Sequence, residues 1–119
     1  MTLQASFERI HPDTAVITFV GSLTLGMNLK MADDQIRGLV EGGVSRLVLD
    51  LTAVPYMDSA GLGTLVHTNG LVLRDGGMLR LCGVGERVSA LLKLTKMDAV
   101  LSVDPDAGAS LAALGVSAK

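Results

Sequence analysis

The chain has 119 residues, a formal net charge of -2 at pH 7 and a hydrophobic share of 49%, with two Phe, one Tyr and no Trp. This length suits one domain with one core, and so few aromatic residues exclude a stacking platform for bases or sugars. Lys and Arg residues are scattered, so no basic stripe supports direct binding to nucleic acid.

The cysteine and histidine content further restricts the kinds of site that this protein can contain. The single cysteine, Cys82, excludes an internal disulfide and a cysteine zinc site, and we expect it to be a small buried residue at a strand end. Two histidines are too few for a typical metal cluster, so we expect no metal and no cofactor. No stretch resembles a signal peptide or approaches the roughly 18 apolar residues of a membrane span, so we expect a soluble, cytoplasmic protein without membrane contact.

The N-terminal half predicts a hairpin, a helix and a central strand. Residues 3–10 and 14–20 are extended segments joined by the turn-forming tripeptide His11-Pro12-Asp13, which indicates an antiparallel hairpin. From residue 29, apolar positions recur at helical spacing until Gly42-Gly43 ends the helix. Residues 46–51 form a nearly continuous apolar run, typical of a central strand covered on both faces.

The C-terminal half continues the alternation of helix and strand. The pattern predicts helices over residues 59–74 and 86–96, and strands over 78–82 and 100–103. Asp104-Pro105 then predicts an N-cap followed by a proline in the first turn of a terminal helix.

The resulting order, ββαβαβαβα, predicts an α/β fold in a single domain over residues 1–119. Strand–helix–strand units require parallel neighbours, so we expect a mixed, mostly parallel sheet of about four to five strands with an antiparallel N-terminal edge and about four helices. In such sheets the functional surface tends to lie beyond the carboxyl ends of the strands. Ser59 and Gly83-Val84-Gly85 fall on that rim, and residues 21–28 join them if the second and third strands are parallel.

The segment from Leu47 to Gly63 is the most informative part of the chain. It predicts a buried strand, a short loop and then Asp58-Ser59 at the start of a helix whose first turn is nearly bare. Free amide groups and the helix dipole favour negative charge there, and Ser59 is a residue that can acquire one. An ordinary helix cap is the simplest alternative, for which Ser59→Ala costs roughly 1 kcal/mol.

Enzymatic use of Ser59 is not supported. A serine nucleophile needs a base within hydrogen-bond reach, and His67 lies roughly 12 Å farther along the same helix. Met57 stands where the nucleophile elbow of hydrolases requires glycine. We therefore predict that the chain is not an enzyme and has no catalytic residue, with a hydrolase as a disfavoured alternative.

The sequence also matches the motifs of phosphate-binding loops poorly. Gly83-Val84-Gly85 follows a strand and opens a helix, but Val88 stands where the dinucleotide fingerprint has Gly or Ala. We interpret this segment as an ordinary strand-to-helix turn. A small nucleotide-binding protein is therefore a second disfavoured alternative.

Two motifs of this chain resemble the signature of a known family. Leu49-Asp50-Leu51, followed by Met57-Asp58-Ser59-Ala60-Gly61-Leu62-Gly63, is similar to the STAS domain of bacterial anti-sigma-factor antagonists. The resemblance covers nearly the whole chain, because the hairpin, Gly21, the Gly76-Gly77 turn and the strand ending in Cys82 fall in matching order. It implies a single STAS-type domain.

The resemblance also implies a protein-binding switch with no catalysis of its own. In the family, the serine matching Ser59 is phosphorylated by an anti-sigma factor that is also an ATP-dependent serine kinase, and a serine phosphatase reverses this. The unphosphorylated form binds that kinase and releases a sigma factor. The partner-binding residues implied here are Ser22, Thr24, Asp58, Ser59, Ala60, Gly61, Leu62 and Gly63. The alternative within the fold is a STAS subunit of another assembly, such as a stress-signalling or lipid-transport complex, and the sequence leaves the oligomeric state open.

Several residues around Ser59 carry further expectations. We expect Gly61 and Gly63 to leave bare backbone for a partner, and Leu62 to be an exposed anchor or a core residue with equal weight. Thr24 stands where many phosphorylated members have an acid, and its hydroxyl, like that of Ser22, is more typical of a turn than of a further phosphoacceptor. For Met27 and Met31, which lie one helical turn apart, we expect core filling, with an adaptable contact surface as the alternative.

Overall fold

The computed structural model describes residues 2–116, which form an α/β domain around a five-stranded sheet of order β1-β2-β3-β4-β5. The strands are β1 (Gln4–His11), β2 (Thr14–Val20), β3 (Arg46–Ala53), β4 (Met78–Cys82) and β5 (Val103–Asp104). β1 and β2 are antiparallel, and every other neighbouring pair is parallel. The predicted mixed sheet with an antiparallel N-terminal edge is confirmed. Because β2 and β3 are parallel, the loop after β2 lies on the same rim as Ser59.

Within residues 2–116, four α-helices connect or follow the parallel strands. They are α1 (Met27–Glu41), α2 (Ser59–Arg74), α3 (Glu86–Leu94) and α4 (Ala107–Ala113). The α3 helix ends two residues before the predicted boundary. Lys96 adopts a left-handed backbone conformation with φ of 62°, and a short 3-10 turn at Met97–Ala99 follows it.

Both faces of the central strands are buried, as the apolar run in β3 predicts. Alternate residues of a strand point to opposite faces, so Leu47 and Leu49 enter the main core while Val48 enters a second, smaller core. The buried stripe of α1 packs in the main core, and α4 covers the second through Leu111 and Leu114.

Cys82 lies in the second core and is 0% exposed, which confirms the prediction of a small buried residue at a strand end. Burial, with the negative charge of Asp50 as a second cause, raises the pKa of the Cys82 thiol to about 12. The thiol is therefore protonated at neutral pH and poorly nucleophilic.

The prediction that Asp104 is the N-cap of the terminal helix is wrong. Asp104 ends β5, and its carboxylate accepts hydrogen bonds of 2.8 and 2.9 Å from Arg80 on β4 and one of 2.7 Å from the Ser110 hydroxyl. These bonds fasten α4 to the sheet, and those from Arg80 are the main cause that lowers the pKa of Asp104. Asp106 caps α4 instead, accepting a bond of 2.8 Å from the Ala109 amide. Cross-strand pairing with Arg80 decides between two neighbouring acids that have equal capping propensity.

Candidate functional site

Two loops meet on the rim beside Ser59. They are the loop after β2, residues 21–26, and the segment from Val54 to Asp58 that connects β3 to α2. The Leu23 amide donates to the Tyr56 carbonyl at 3.0 Å, and the Asp58 amide donates to the Leu23 carbonyl at 3.2 Å. Leu23 and Met57 form an isolated parallel bridge, and both side chains are buried. The two loops therefore continue the β2–β3 pairing beyond the end of the sheet.

The carboxylate of Asp58 stabilises the contact between the two loops. One oxygen accepts a hydrogen bond of 2.9 Å from the Gly61 amide and so caps α2, and the other accepts one of 2.9 Å from the Leu25 amide. The bond from Leu25 is the largest cause that lowers the pKa of Asp58, followed by the bond from Gly61. Asp58 is thus both the helix cap and the tie between the two loops.

Gly61 has a different role from the one expected. It is buried, and a Cβ at this position would overlap the Leu23 carbonyl oxygen and lie 2.9 Å from the carbonyl carbon. The missing side chain therefore serves close packing of the two loops, and the expectation that Gly61 offers bare backbone to a partner is wrong. Gly63 is exposed, and a Cβ there would meet no atom within 4 Å, so its backbone is open to solvent.

Ser59 is exposed as the first residue of α2. Within residues 2–116 no hydrogen bond engages its hydroxyl, and the cap bond comes from Asp58. Of the two residues that could cap the helix, Asp58 is therefore the cap and Ser59 is not. Ala60 and Leu62 are half-buried and pack against the main core, which favours the core interpretation of Leu62.

Apolar side chains are exposed on one side of Ser59. Leu25, whose amide is bound to Asp58, is 83% exposed, and Met27 and Met31 of α1 are 70% and 55% exposed. The expectation that both methionines fill the core is wrong, because another stripe of α1 faces inward, consisting of Leu29, Ala32, Ile36 and Val40. Ser22 and Thr24, on the same loop as Leu25, are half-buried.

An open groove of about 510 Å³ lies on the other side of Ser59, between the start of α2 and α3. Its lining comprises Tyr56, Met57, Asp58, Ser59, Arg87, Ala90, Leu91 and Leu94. The guanidinium carbon of Arg87 lies 4.6 Å from the centroid of the Tyr56 ring, a cation–π arrangement. Sequence reasoning missed Tyr56, Arg87 and Leu94. The available signal was the helical spacing of Arg87, Leu91 and Leu94, which lies off the buried stripe of α3.

The other candidate chemistries find little support in the geometry. His67 is exposed eight residues along the helix from Ser59, a rise of about 12 Å. Gly83 has φ of 68°, its Cα faces Thr52, and its amide donates to the Asp104 carbonyl at 3.1 Å, so it serves an internal turn. Across residues 2–116 no cluster of three potential metal ligands occurs, and no helix is long and apolar enough to span a bilayer.

Comparison with known proteins identifies the family, because residues 8–109 match the STAS domain. The chain belongs to the STAS domain family. It is 37% identical over 65 residues to an anti-sigma-B factor antagonist of Bacillus subtilis, a match that covers 55% of this chain and 59% of that protein. The matched part of this STAS domain thus spans about three fifths of that relative's length.

Solved structures share the fold along nearly the whole chain. One is an anti-sigma factor antagonist of Mycobacterium paratuberculosis, with a TM-score of 0.81 and 23% identity over 96% of this chain and 95% of the other. Another is the Bacillus cell fate determinant SpoIIAA in its phosphorylated form, with a TM-score of 0.73 and 16% identity over 89% of this chain and 96% of the other. These similarities establish the STAS fold.

Proposed function

We propose that this STAS domain is an anti-sigma-factor antagonist whose activity depends on the phosphorylation state of Ser59. In its unphosphorylated form it binds an anti-sigma factor that is also a serine kinase, and this binding releases a sigma factor. Phosphorylation of Ser59 ends the complex, and a serine phosphatase restores binding. The observation that carries the proposal is the exposed Ser59 hydroxyl, which no hydrogen bond within residues 2–116 engages, between two exposed apolar surfaces.

The surroundings of Ser59 suit a partner that covers it. Leu25 and Met27 are exposed on one side, and Leu94 is 82% exposed at the groove on the other. A partner that buries these side chains gains hydrophobic free energy and removes water from the serine between them. Ser22, Thr24, Asp58, Ala60, Gly61, Leu62 and Gly63 form or support the same surface, the buried Gly61 by holding its two loops together.

A phosphoryl group on Ser59 changes such an interface far more than the free domain. It adds a charge of about -1.5 to -2 at pH 7, which the N-terminus of α2 stabilises by about 0.3 to 1 kcal/mol. At an interface the same charge is desolvated, and a single acid at 4 Å costs about 4 kcal/mol at an effective dielectric constant of 20. Each 1.4 kcal/mol is about tenfold in affinity, so phosphorylation weakens binding by about two to three orders of magnitude.

We infer that the domain catalyses no reaction itself and is the kinase's substrate. Ser59 has no histidine within reach, since His67 is exposed about 12 Å along α2 and His11 pairs with Thr14 at the opposite end of the sheet. Thr24 is half-buried on the loop after β2 and presents a neutral hydroxyl. Residues 21–26 of this loop contain no acidic side chain, so the kinase meets only neutral and apolar groups there.

The proposal is tested with matched variants of Ser59. Ser59→Ala keeps partner binding and cannot be phosphorylated, whereas Ser59→Asp loses binding. Ser102→Asp is the control, because it makes the same exchange at an exposed serine in the loop before β5. Each tagged chain is expressed in its native cell, and mass spectrometry identifies both the captured proteins and the phosphorylated residues. Ser59→Ala and Ser102→Asp capture an ATPase-fold kinase, and Ser59→Asp does not.

Two results contradict the proposal. One is that Ser59 is never phosphorylated while the amount of captured partner still changes with growth condition. The other is that Ser59→Asp and Ser59→Ala retain the same partners, which indicates a constitutive STAS subunit of a larger assembly. Labelling of the isolated chain by ATP alone contradicts the absence of catalysis.

A further inference from the structure

We propose that, once Ser59 is phosphorylated, the guanidinium of Arg87 in the same domain binds the phosphate oxygens through hydrogen bonds and an ion pair. The phosphoryl group then occupies the part of the groove between α2 and α3 that lies beside Ser59 and Arg87, in a groove also lined by Tyr56 and Leu94. The inference rests on the proposed phosphorylation of Ser59 and names the residue that binds the product.

The arginine is already positioned at this groove. Its guanidinium carbon lies 4.6 Å from the centroid of the Tyr56 ring, and Tyr56 precedes Ser59 by three residues. A guanidinium that stacks on a ring through its face keeps the N–H donors of its edge free. Those edge donors match the geometry of phosphate oxygens, which they bind in a bidentate manner.

Arg87 has no competing acid among the described residues. The ion pairs within residues 2–116 engage other cations, namely Lys30, Arg37, Arg46 and Arg80. Asp58 also lines the groove, but its two carboxylate oxygens accept the Gly61 and Leu25 amides. A second negative group at Ser59 therefore meets a cation that is not already neutralised.

Pairing with Arg87 has a consequence for any partner that uses the groove. The phosphoryl group and the guanidinium together occupy space beside Tyr56, Leu91 and Leu94, which an apolar side chain of the partner would otherwise enter. Phosphorylation then excludes the partner by occupying the groove as well as by adding charge. Removing Arg87 leaves the charge and reopens the groove.

The direct test measures the second ionisation of phosphoserine installed at position 59 during translation. Its pKa is followed by phosphorus NMR in the otherwise unchanged chain, in Arg87→Gln and in Lys93→Gln. Lys93→Gln is the matched control, because Lys93 lies on the same helix and loses the same charge but lines a different groove, beside Val84 and Leu92. Arg87→Gln raises the phosphate pKa by about half a unit, the size expected of an exposed ion pair, and Lys93→Gln changes it much less.

A second measurement uses Tyr56, which is the only Tyr in a chain without Trp and so is the reporter of intrinsic fluorescence. Phosphorylation changes Tyr56 emission in the chain with Arg87 and changes it less in Arg87→Gln. Equal phosphate pKa values in the Arg87→Gln and Lys93→Gln proteins overturn the proposal. Because the phosphoserine is installed without a kinase, this result is independent of whether cells phosphorylate Ser59 or any partner binds.

Discussion

Replacing Gly61 by alanine tests whether the loop after β2 is packed directly on the first turn of α2. In an open helical position, Gly→Ala stabilises a protein by about 0.8 to 1 kcal/mol, because alanine restricts the unfolded chain more. At Gly61 the new Cβ overlaps the Leu23 carbonyl oxygen and lies 2.9 Å from both the carbonyl carbon and the Cβ of Leu23. Two of these atoms are backbone, so the loop has to move.

Movement of Leu23 weakens the bonds that join the loops, which run from the Leu23 amide to Tyr56 and from the Asp58 amide to Leu23. Overpacking typically costs about 1 to 3 kcal/mol, so we expect Gly61→Ala to lower the free energy of unfolding by about that amount. Gly63→Ala is the matched control two residues along the helix, where a Cβ meets no atom within 4 Å, and we expect it to raise stability.

Urea denaturation followed by far-ultraviolet circular dichroism measures both variants. The expected difference in free energy of unfolding between the two variants is about 2 to 4 kcal/mol. In a thermal melt of a domain of this size, each kcal/mol corresponds to roughly 4 °C in Tm. If Gly61→Ala is as stable as Gly63→Ala, the reasoning about close packing is refuted.

Two further predictions concern Asp58 and Cys82. Asp58→Ala removes the cap and the bond to the Leu25 amide, which costs about 1 to 2 kcal/mol at neutral pH by urea denaturation. Because folding lowers the pKa of Asp58 from 3.8, this stabilisation is complete well above pH 3.8 and is lost as pH falls through the lower folded value. A difference from the unsubstituted chain that does not shrink as pH is lowered below 3.8 contradicts this assignment. Cys82 reacts with a thiol reagent only on unfolding, since burial raises its pKa to about 12; rapid reaction of the folded chain contradicts this.

The element order and the candidate functional segment were accessible from the sequence because each depends on local patterns. Apolar alternation and helical spacing predict the first four strands and the helices, and the parallel connection of β2 to β3 follows from the helix-sized segment between them. The strand predicted over residues 100–103 begins only at Val103, because a 3-10 turn and its C-cap Val100 precede it. The Asp58-Ser59 pair before an apolar helix likewise predicts a helix start without tertiary information.

Where local patterns favour two residues equally for the same role, only tertiary contacts decide which of them takes it. Asp104 and Asp106 have the same capping propensity. The carboxylate of Asp104 binds Arg80 on the neighbouring strand, and Asp106 therefore caps α4. Met27 and Met31 are apolar residues at helical spacing, yet another stripe of α1 faces the core. Local propensity carries no information about which face a neighbouring element covers.

In the region of Ser59, too, some features follow from local sequence patterns and others only from tertiary contacts. By itself the sequence determined that a serine stands at the start of a helix on the rim of an α/β sheet, because strand, loop and helix patterns are read within a few residues. Only the tertiary structure decided that Asp58 also binds the Leu25 amide, that Gly61 is buried against Leu23, and that Arg87 on another helix lines the groove of Ser59. These contacts join segments far apart in the chain, and packing alone brings them together.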